Sequence, residues 1–332
     1  MTASIRITEA GRAAVTDLGR HRGPGVGLPV NGALDQYSAR AANILVANAE
    51  GAPLIEALAF DIAFVPSHDV LIAVTGADML VTVDGVERPM WEPVPVEAGQ
   101  EVRLGDMLGG MRTYIAVRGG FDVPELLGSC APDPAIGFGT TLAVGDSIGL
   151  HARTGVPVNP YFGISLFNFG VDRPYFGDTA CIDVTDGPDI DEFAGTAGLL
   201  FEAPYRVSTR SNQVGLRLSG VLPTRVGSGE MISRGVPVGA IEVPPGGELL
   251  VLHRGRGVTA GYPVLGVVTS TSLDTLGQVR PETEVSFRRV SLERAARDAR
   301  VWRERLDRLR DRVGTVFSCL GVTPAGMERA ES

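Results

Sequence analysis

Residues 70–85 read VLIAVTGADMLVTVDG. Aliphatic and β-branched side chains fill Val70–Val74 and Met79–Val83, the composition of strands on a pleated, half-buried surface. Asp84-Gly85 follows, a pair that accepts positive φ and therefore marks a hairpin. The rhythm continues outward on both sides. Between Pro53 and Leu150, further short runs stand at Glu101–Leu104, Thr113–Val117 and Leu142–Val144, and Ser4–Val15 reads as a strand pair turning at Glu9–Gly11. Beyond Thr154–Pro160 (TGVPVNP), the candidate linker, strands are predicted at Cys181–Val184, Gly215–Leu218, Glu248–Leu252, Val264–Thr269 and Glu284–Val290. Strands at such short intervals predict barrels or sandwiches. The expected architecture is mainly β, with one domain over 1–155, a second over 161–290 and a helix over 291–313.

Three segments follow a helical period instead. In Asp35–Asn48, Tyr37, Ala41, Ile44 and Leu45 share one face, with Asp35 as N-cap and Asn48 as stop. A short helix is predicted at Leu273–Val279. In Ser291–Val313 the residues Ala295, Ala299, Trp302, Leu306, Leu309 and Val313 recur at spacings of four and three, a narrow amphipathic seam. Packing on its own chain is the first reading of that seam, and a coiled-coil arm to a partner is the second.

Composition narrows the function. A hydrophobic share of 44% over 332 residues supplies enough apolar surface for more than one core. The 43 glycines and 22 prolines favour strands and turns over long helices. The basic residues are all arginines. Without lysine there is no Walker A loop, no lysine Schiff base and no biotinyl- or lipoyl-lysine on this chain. A net charge of −9 argues against nucleic acid or an anionic membrane as partner. Three widely spaced cysteines, no apolar leader and no run of 18 apolar residues point to a cytoplasmic protein.

Few motifs carry chemistry by spacing alone. Gly145–Gly149 (GDSIG) matches the nucleophile elbow GxSxG, but that motif requires a strand-to-helix turn and the surrounding LAVGDSIGLHAR reads as a turn into another strand. His21, His68, His151 and His253 show no metal-ligand spacing, so no metal site is expected. His253 reads as a surface histidine near a strand end, with general base as the sharper alternative. Gly255-Arg256-Gly257 is a turn that also suits a carboxylate or phosphate. The glycine-rich opening, DLGRHRGPGVGLPVNGALD at 17–35, holds Arg20, Asn31 and Asp35, and Asn43 follows on the helix. These side chains can hold a planar amide or carboxylate; a plain cap (Asp35) and a solvent-facing position (Asn43) are the competing readings.

Taken in order, these pieces resemble one family. The opening at 17–35, ANILVAN at 42–48, LIEALAF with Glu56, TGAD at 75–78 and RTYIAVRGGFDVPELLGS at 112–129 are similar to the allophanate hydrolase subunit 2, or biotin-dependent carboxyltransferase, family. RSNQVGLRLSG at 210–220, GAIEVPPGGELLVL at 239–252, AGYPVLGVV at 260–268 and QVRP at 278–281 extend the resemblance to about Val290. It implies a cyclophilin-like fold with two barrel-like halves. It implies a partner, a 5-oxoprolinase B-type or allophanate hydrolase subunit 1-like protein, with the large A-type component of 5-oxoprolinase as a third member. The implied activity is ATP-dependent amide or lactam hydrolysis of the 5-oxoprolinase type, with ATP used by the assembly. The alternatives are carboxyl transfer from carboxybiotin held on a separate carrier, as in urea carboxylase, and non-catalytic binding of a kinase inhibitor. Arg20 and Asp35 are the implied catalytic residues, with Asn31, Asn43, Gln213, Glu242 and Tyr262 around the small amide. The chain departs from the family pattern at Cys130–Asp133, at Glu242 where glutamine is usual, and across His253–Ala260, which leaves substrate identity open.

Overall fold

The computed structural model describes residues 3–151, 154–158, 167–227 and 231–322. The end of the predicted linker, Asn159-Pro160, lies outside them. Contacts divide the chain into two units that interleave in sequence. The first is formed by 1–19, 36–175 and 303–332, the second by 20–35 and 176–302. This division differs from the boundaries expected at 155–161 and 290–291, because the glycine-rich loop 20–35 makes its contacts with the later strands and the C-terminal helix is shared out between the units.

The first unit holds β1 (Ser4–Glu9), β2 (Ala13–Thr16), α1 (Gln36–Leu45), β3 (Leu54–Leu58), β4 (Ile62–Pro66), β5 (Val70–Val83), β6 (Val86–Arg88), β7 (Pro93–Val96), β8 (Val102–Val117), β9 (Thr140–Thr141) and β10 (Ser147–Gly149). Its ten strands form one sheet, ordered β10-β1-β4-β8-β3-β2-β9, with β5 pairing β6, β7 and β8. The predicted hairpin at Asp84-Gly85 joins β5 to β6, and Val83 also pairs with Val102 of β8. The runs Val70–Val74 and Met79–Val83 are one strand, irregular near Gly76 and Asp78. Gly76 is fixed by space: at φ +92° a Cβ would lie 2.3 Å from the Arg112 carbonyl oxygen. Likewise Glu101–Leu104 and Thr113–Val117 merge into β8. The predicted pairing within Ser4–Val15 does not occur. β1 pairs with β4 and β10, and β2 with β3 and β9, so the two strands diverge after the Gly11 turn. No strand spans Leu142–Val144; the chain there turns into β10.

The helix α1 is a core helix. Nine of its ten residues are buried, and it lies against β5 and β8. Its Asn43 is therefore interior, which corrects the solvent-facing reading. The long α3 (Leu292–Cys319) runs past the predicted end at Val313. In the first unit it buries Leu306, Leu309, Val313 and Phe317, and Phe317 meets Phe167, Phe169 and the Arg118 guanidinium. The apolar seam is thus spent on its own chain and is not open for a coiled-coil arm.

The second unit holds β11 (Thr179–Asp186), β12 (Tyr205–Val207), β13 (Gly215–Ser219), β14 (Arg234–Gly235), β15 (Ala240–Glu242), β16 (Leu249–Leu252), β17 (Thr259–Ala260), β18 (Val264–Val268), α2 (Ser270–Gly277) and β19 (Glu284–Arg289). Seven strands close into a barrel in the order β11-β18-β15-β16-β13-β12-β19. The parallel pairing of β11 with β19 completes it, and the other neighbours are antiparallel. Alternation sends Ile182, Val184, Leu218, Ile241, Val251 and Val285 to its interior. Outside the barrel, β14 and β17 form a two-stranded ribbon. Trp302 of α3 donates to Asp274 of α2 at 2.8 Å. No described helix is long and apolar enough to cross a membrane.

Candidate functional site

Three of the four residues singled out in the opening segment, Arg20, Asn31 and Asp35, lie on the loop that belongs to the second unit. Arg20 is fully buried, and its backbone N–H donates to the Val30 oxygen at 2.6 Å, closing the loop on itself. The Asn31 N–H donates to the Arg254 carbonyl at 2.9 Å, which ties the loop to the turn after β16. Asn31 takes φ +54°, a left-handed conformation that asparagine tolerates better than other non-glycine residues. Its side chain is 7% exposed, and its Nδ2 has no hydrogen-bond partner among the described residues. Gly255 lies beside it. A Cβ there would come within 2.8 Å of the Gln213 carbonyl oxygen and 3.1 Å of Asn31 Oδ1. The Gly255 N–H also donates to Gln213 O at 3.0 Å. Asn31, the Gln213 backbone and the turn 253–256 are therefore one packed locus.

Asp35 forms the second fixed point of the loop. Its Oδ2 accepts a buried hydrogen bond from Gln278 Nε2 at 2.7 Å. Gly277, the residue before, permits this approach: a Cβ would lie 2.8 Å from Leu34 C and 3.0 Å from Asp35 N. Gln278 did not stand out as a site residue in the sequence, although it opens the QVRP string at 278–281. Its pairing with Asp35 joins positions 243 residues apart, beyond the reach of any local pattern.

Asn43 belongs to the first unit and is saturated there. Its Nδ2 donates to Glu50 O at 3.2 Å and Ala52 O at 2.9 Å, and its Oδ1 accepts from Asn48 Nδ2 at 3.3 Å. It stitches the end of α1 to the following loop. Cys130, the first departure from the family pattern, is also in the first unit. Its N–H donates to Asp17 Oδ2 at 2.8 Å, while burial and the Asp17 charge push its thiol far above the ordinary range. It is an inert structural cysteine.

The turn after β16 differs from its sequence reading. His253 is 2% exposed rather than superficial. Arg256 is buried, and its Nε and Nη2 both donate to the Val236 oxygen, at 2.9 and 2.6 Å. These bonds use two of the five N–H donors of the guanidinium, and Nη1 has no hydrogen-bond partner among the described residues. Gln213 and Tyr262 are exposed.

Glu242 ends β15 at 1% exposure, and its Oε1 has no hydrogen-bond partner among the described residues. Burial pushes its pKa up to about 7, only partly opposed by Arg234. Such a carboxyl is largely neutral at slightly acid pH and can donate as well as accept. In the first unit, the elbow-like GDSIG turns into β10, with Gly145 at φ +94° and no helix following. It has no nucleophile geometry.

The described residues thus supply buried donors on Arg20, Asn31 and Arg256, a held carboxylate at Asp35 and a near-neutral acid at Glu242. A buried donor such as that of Asn31, packed beside the turn 253–256, suits an acceptor oxygen on a carboxylate or a polarised amide. Comparison with known proteins agrees with the fold. The family described as carboxyltransferase domain, subdomain A and B, matches residues 26–289. The C-type subunit of 5-oxoprolinase from Escherichia coli (strain K12) is 31% identical over 300 residues, covering 88% of this chain and 93% of that protein. Among solved structures, TTHA0988 superposes with a TM-score of 0.76 at 35% identity, over 86% of this chain and 55% of that one. The K. lactis urea amidolyase gives a TM-score of 0.83 at 25% identity, over 93% of this chain and 20% of that one. The chain therefore spans about half of the first solved relative and a fifth of the second.

Proposed function

The chain belongs to the family of the carboxyltransferase domain, subdomain A and B, and on that footing we propose that it is one component of an ATP-dependent amide hydrolase of the 5-oxoprolinase type. The observation that carries this reading is the likeness to the C-type subunit of E. coli 5-oxoprolinase, which runs over 88% of one chain and 93% of the other. In this reading it works with a B-type partner and a larger A-type component, and the assembly opens the lactam of 5-oxoproline to glutamate. ATP is consumed by the assembly. The chain lacks lysine, so it has no phosphate loop of the Walker A kind.

The second unit's chemistry supports an acidic lactam as ligand. 5-Oxoproline carries a carboxylate and an amide carbonyl, and both present acceptor oxygens. Asn31 Nδ2 would meet one of them, with Arg20 stabilising the carboxylate or the oxyanion that develops as water attacks the carbonyl carbon. Opening the ring breaks the C–N bond and requires a proton on the departing nitrogen. Asp35, through Gln278, acts as a positioning residue. Gln213 and Tyr262, both exposed, would contact the amide from the solvent side.

The likeness to urea amidolyase favours a second reading, transfer of a carboxyl group from carboxybiotin to a small amide. Biotin would ride on another protein, since this chain has no lysine to carry it. Urea is neutral and gains little from buried cations, which is why the lactam acid is preferred. Co-purification with the B-type partner, followed by reconstitution with the A-type component and ATP, separates the two. Glutamate released from 5-oxoproline only with all components present is the expected result. No glutamate, with biotin-dependent carboxylation of urea instead, would replace the first reading by the second.

A further inference from the structure

Glu242 sits on the outer face of the second unit's barrel. On β15, Ile241 faces the interior, and Ala240 belongs to a separate apolar cluster with Val236, Leu252 and Val264. Glu242 pairs with Leu250 on β16 and Val264 on β18, both part of that outer packing. Strand alternation therefore puts its side chain beside the outer cluster. The ribbon of β14 and β17 belongs to the same locality. Val236 follows β14, and Ala260 of β17 packs against the cluster.

The ribbon is short. It pairs Arg234 with Ala260 and Gly235 with Thr259, and the Val236 N–H donates to Val258 O at 3.2 Å. Two tethers reinforce it within the unit. Arg234 pairs with Asp189, whose Oδ2 also accepts from the Val264 N–H at 2.8 Å. Arg256 grips the Val236 oxygen. Neither tether satisfies Glu242. Arg234 is the cation that acts on it, and that guanidinium is already engaged by Asp189. The strand partners facing Glu242, Leu250 and Val264, are apolar. The remaining charged or titratable groups on the neighbouring segments are Glu248 before β16, His253, Arg254 and Arg256 after it, and Tyr262 before β18.

We propose that Glu242 is a proton switch for the β14–β17 ribbon: the neutral acid lets the ribbon lie on the outer cluster, and ionisation releases it. A neutral carboxyl can stay in this apolar setting at modest cost, whereas a carboxylate without a partner cannot. On losing its proton to solvent, Glu242 must reach water or draw Arg234 away from Asp189. Either movement loosens the ribbon. The carboxyl's pKa with the ribbon closed is raised to about 7 from an ordinary 4.5. A raised acid pKa means that closure is fully favoured below the ordinary value, weakens as pH climbs between the two values, and is level above the higher one. Across that window the open-to-closed ratio rises about tenfold per pH unit.

Amide hydrogen exchange on the full chain between pH 5 and 8, corrected for the intrinsic rate, tests this. The expected result is protection of residues 231–237 and 258–261 that falls with pH up to about 7, while β12–β13 stays unchanged. In Glu242→Gln, which is neutral throughout, the ribbon's protection should be independent of pH. An unprotonated Glu242 at pH 6, seen as no carboxylic-acid C=O stretch in the infrared difference between wild type and Glu242→Gln, would overturn the proposal. So would a pH-independent ribbon in the wild type, which needs no variant to be read. None of these measurements involves substrate, so they stand apart from the activity test.

Discussion

Glu50 in the first unit and Glu242 in the second are both carboxyls with little exposure, and they show opposite outcomes of burial. Glu50 receives Arg40 at 2.6 Å, Arg303 at 3.0 Å and Arg310. Burial pushes its pKa up, but the Arg303 and Arg40 hydrogen bonds and the Arg303 and Arg310 charges outweigh it, and the net shift is downward. Glu242 has one cation acting on it, occupied elsewhere, and burial wins. The asparagines repeat the contrast. Asn43 spends its side chain on two carbonyls and an amide, whereas Asn31 keeps a buried donor open. Glu50 and Asn43 are saturated and so read as framework, although the first unit also holds buried polar atoms without a hydrogen-bond partner among the described residues, such as Arg118 Nε. The second unit leaves Asn31 Nδ2 and Glu242 Oε1 open, at a cost of about 1–3 kcal/mol each when nothing fills them, and so reads as the unit that meets a ligand.

The largest expected effect lies in the framework. Glu50→Ala leaves three arginines around an emptied position and should cost about 3 kcal/mol of stability, measured by denaturant unfolding at pH 7. Because Glu50 has a lowered folded-state pKa, its contribution is complete above the ordinary carboxyl value and disappears as pH falls through the lowered one. The difference between wild type and Glu50→Ala should therefore shrink on acidification; a constant gap would mean that Glu50 acts by packing alone.

Asn43→Ala strands the Glu50 and Ala52 carbonyls and should cost about 2 kcal/mol, with activity per folded molecule unchanged. Asn31→Gly keeps the left-handed backbone and removes only the amide. Its melting temperature should hold within a degree or two, while turnover of the reconstituted assembly falls about tenfold. If the two variants exchanged these behaviours, the division into framework and site would be broken. The smallest effect is at Gly277→Ala. A methyl group against the Leu34–Asp35 backbone should cost about 1 kcal/mol and disturb the Asp35–Gln278 bond, read as a raised KM with kcat little changed.

Much of the fold is legible in the chain because strand alternation and hairpin chemistry are local. Asp84-Gly85 specifies its turn, and the seam of α3 specifies the face it buries. Pairing partners are not local. β1 and β2 are sequence neighbours that pair with other strands, and β11 closes the barrel by a parallel pairing with β19 that no turn residue announces. The glycine-rich opening points to Arg20, Asn31 and Asp35 as residues held at close quarters. It cannot say that the quarters belong to the later barrel, nor that Asn43, a few residues on, is spent on the loop that follows α1.

By itself, then, the sequence determined a mainly β protein of the carboxyltransferase-domain family without a lysine to carry biotin, because residue type, alternation and motif order are written along the chain. Only the tertiary structure decided which buried polar groups are satisfied. Whether Glu50 is a locked anion and Glu242 a near-neutral acid depends on which arginines fold against each, and that is settled by packing between segments as much as 260 residues apart.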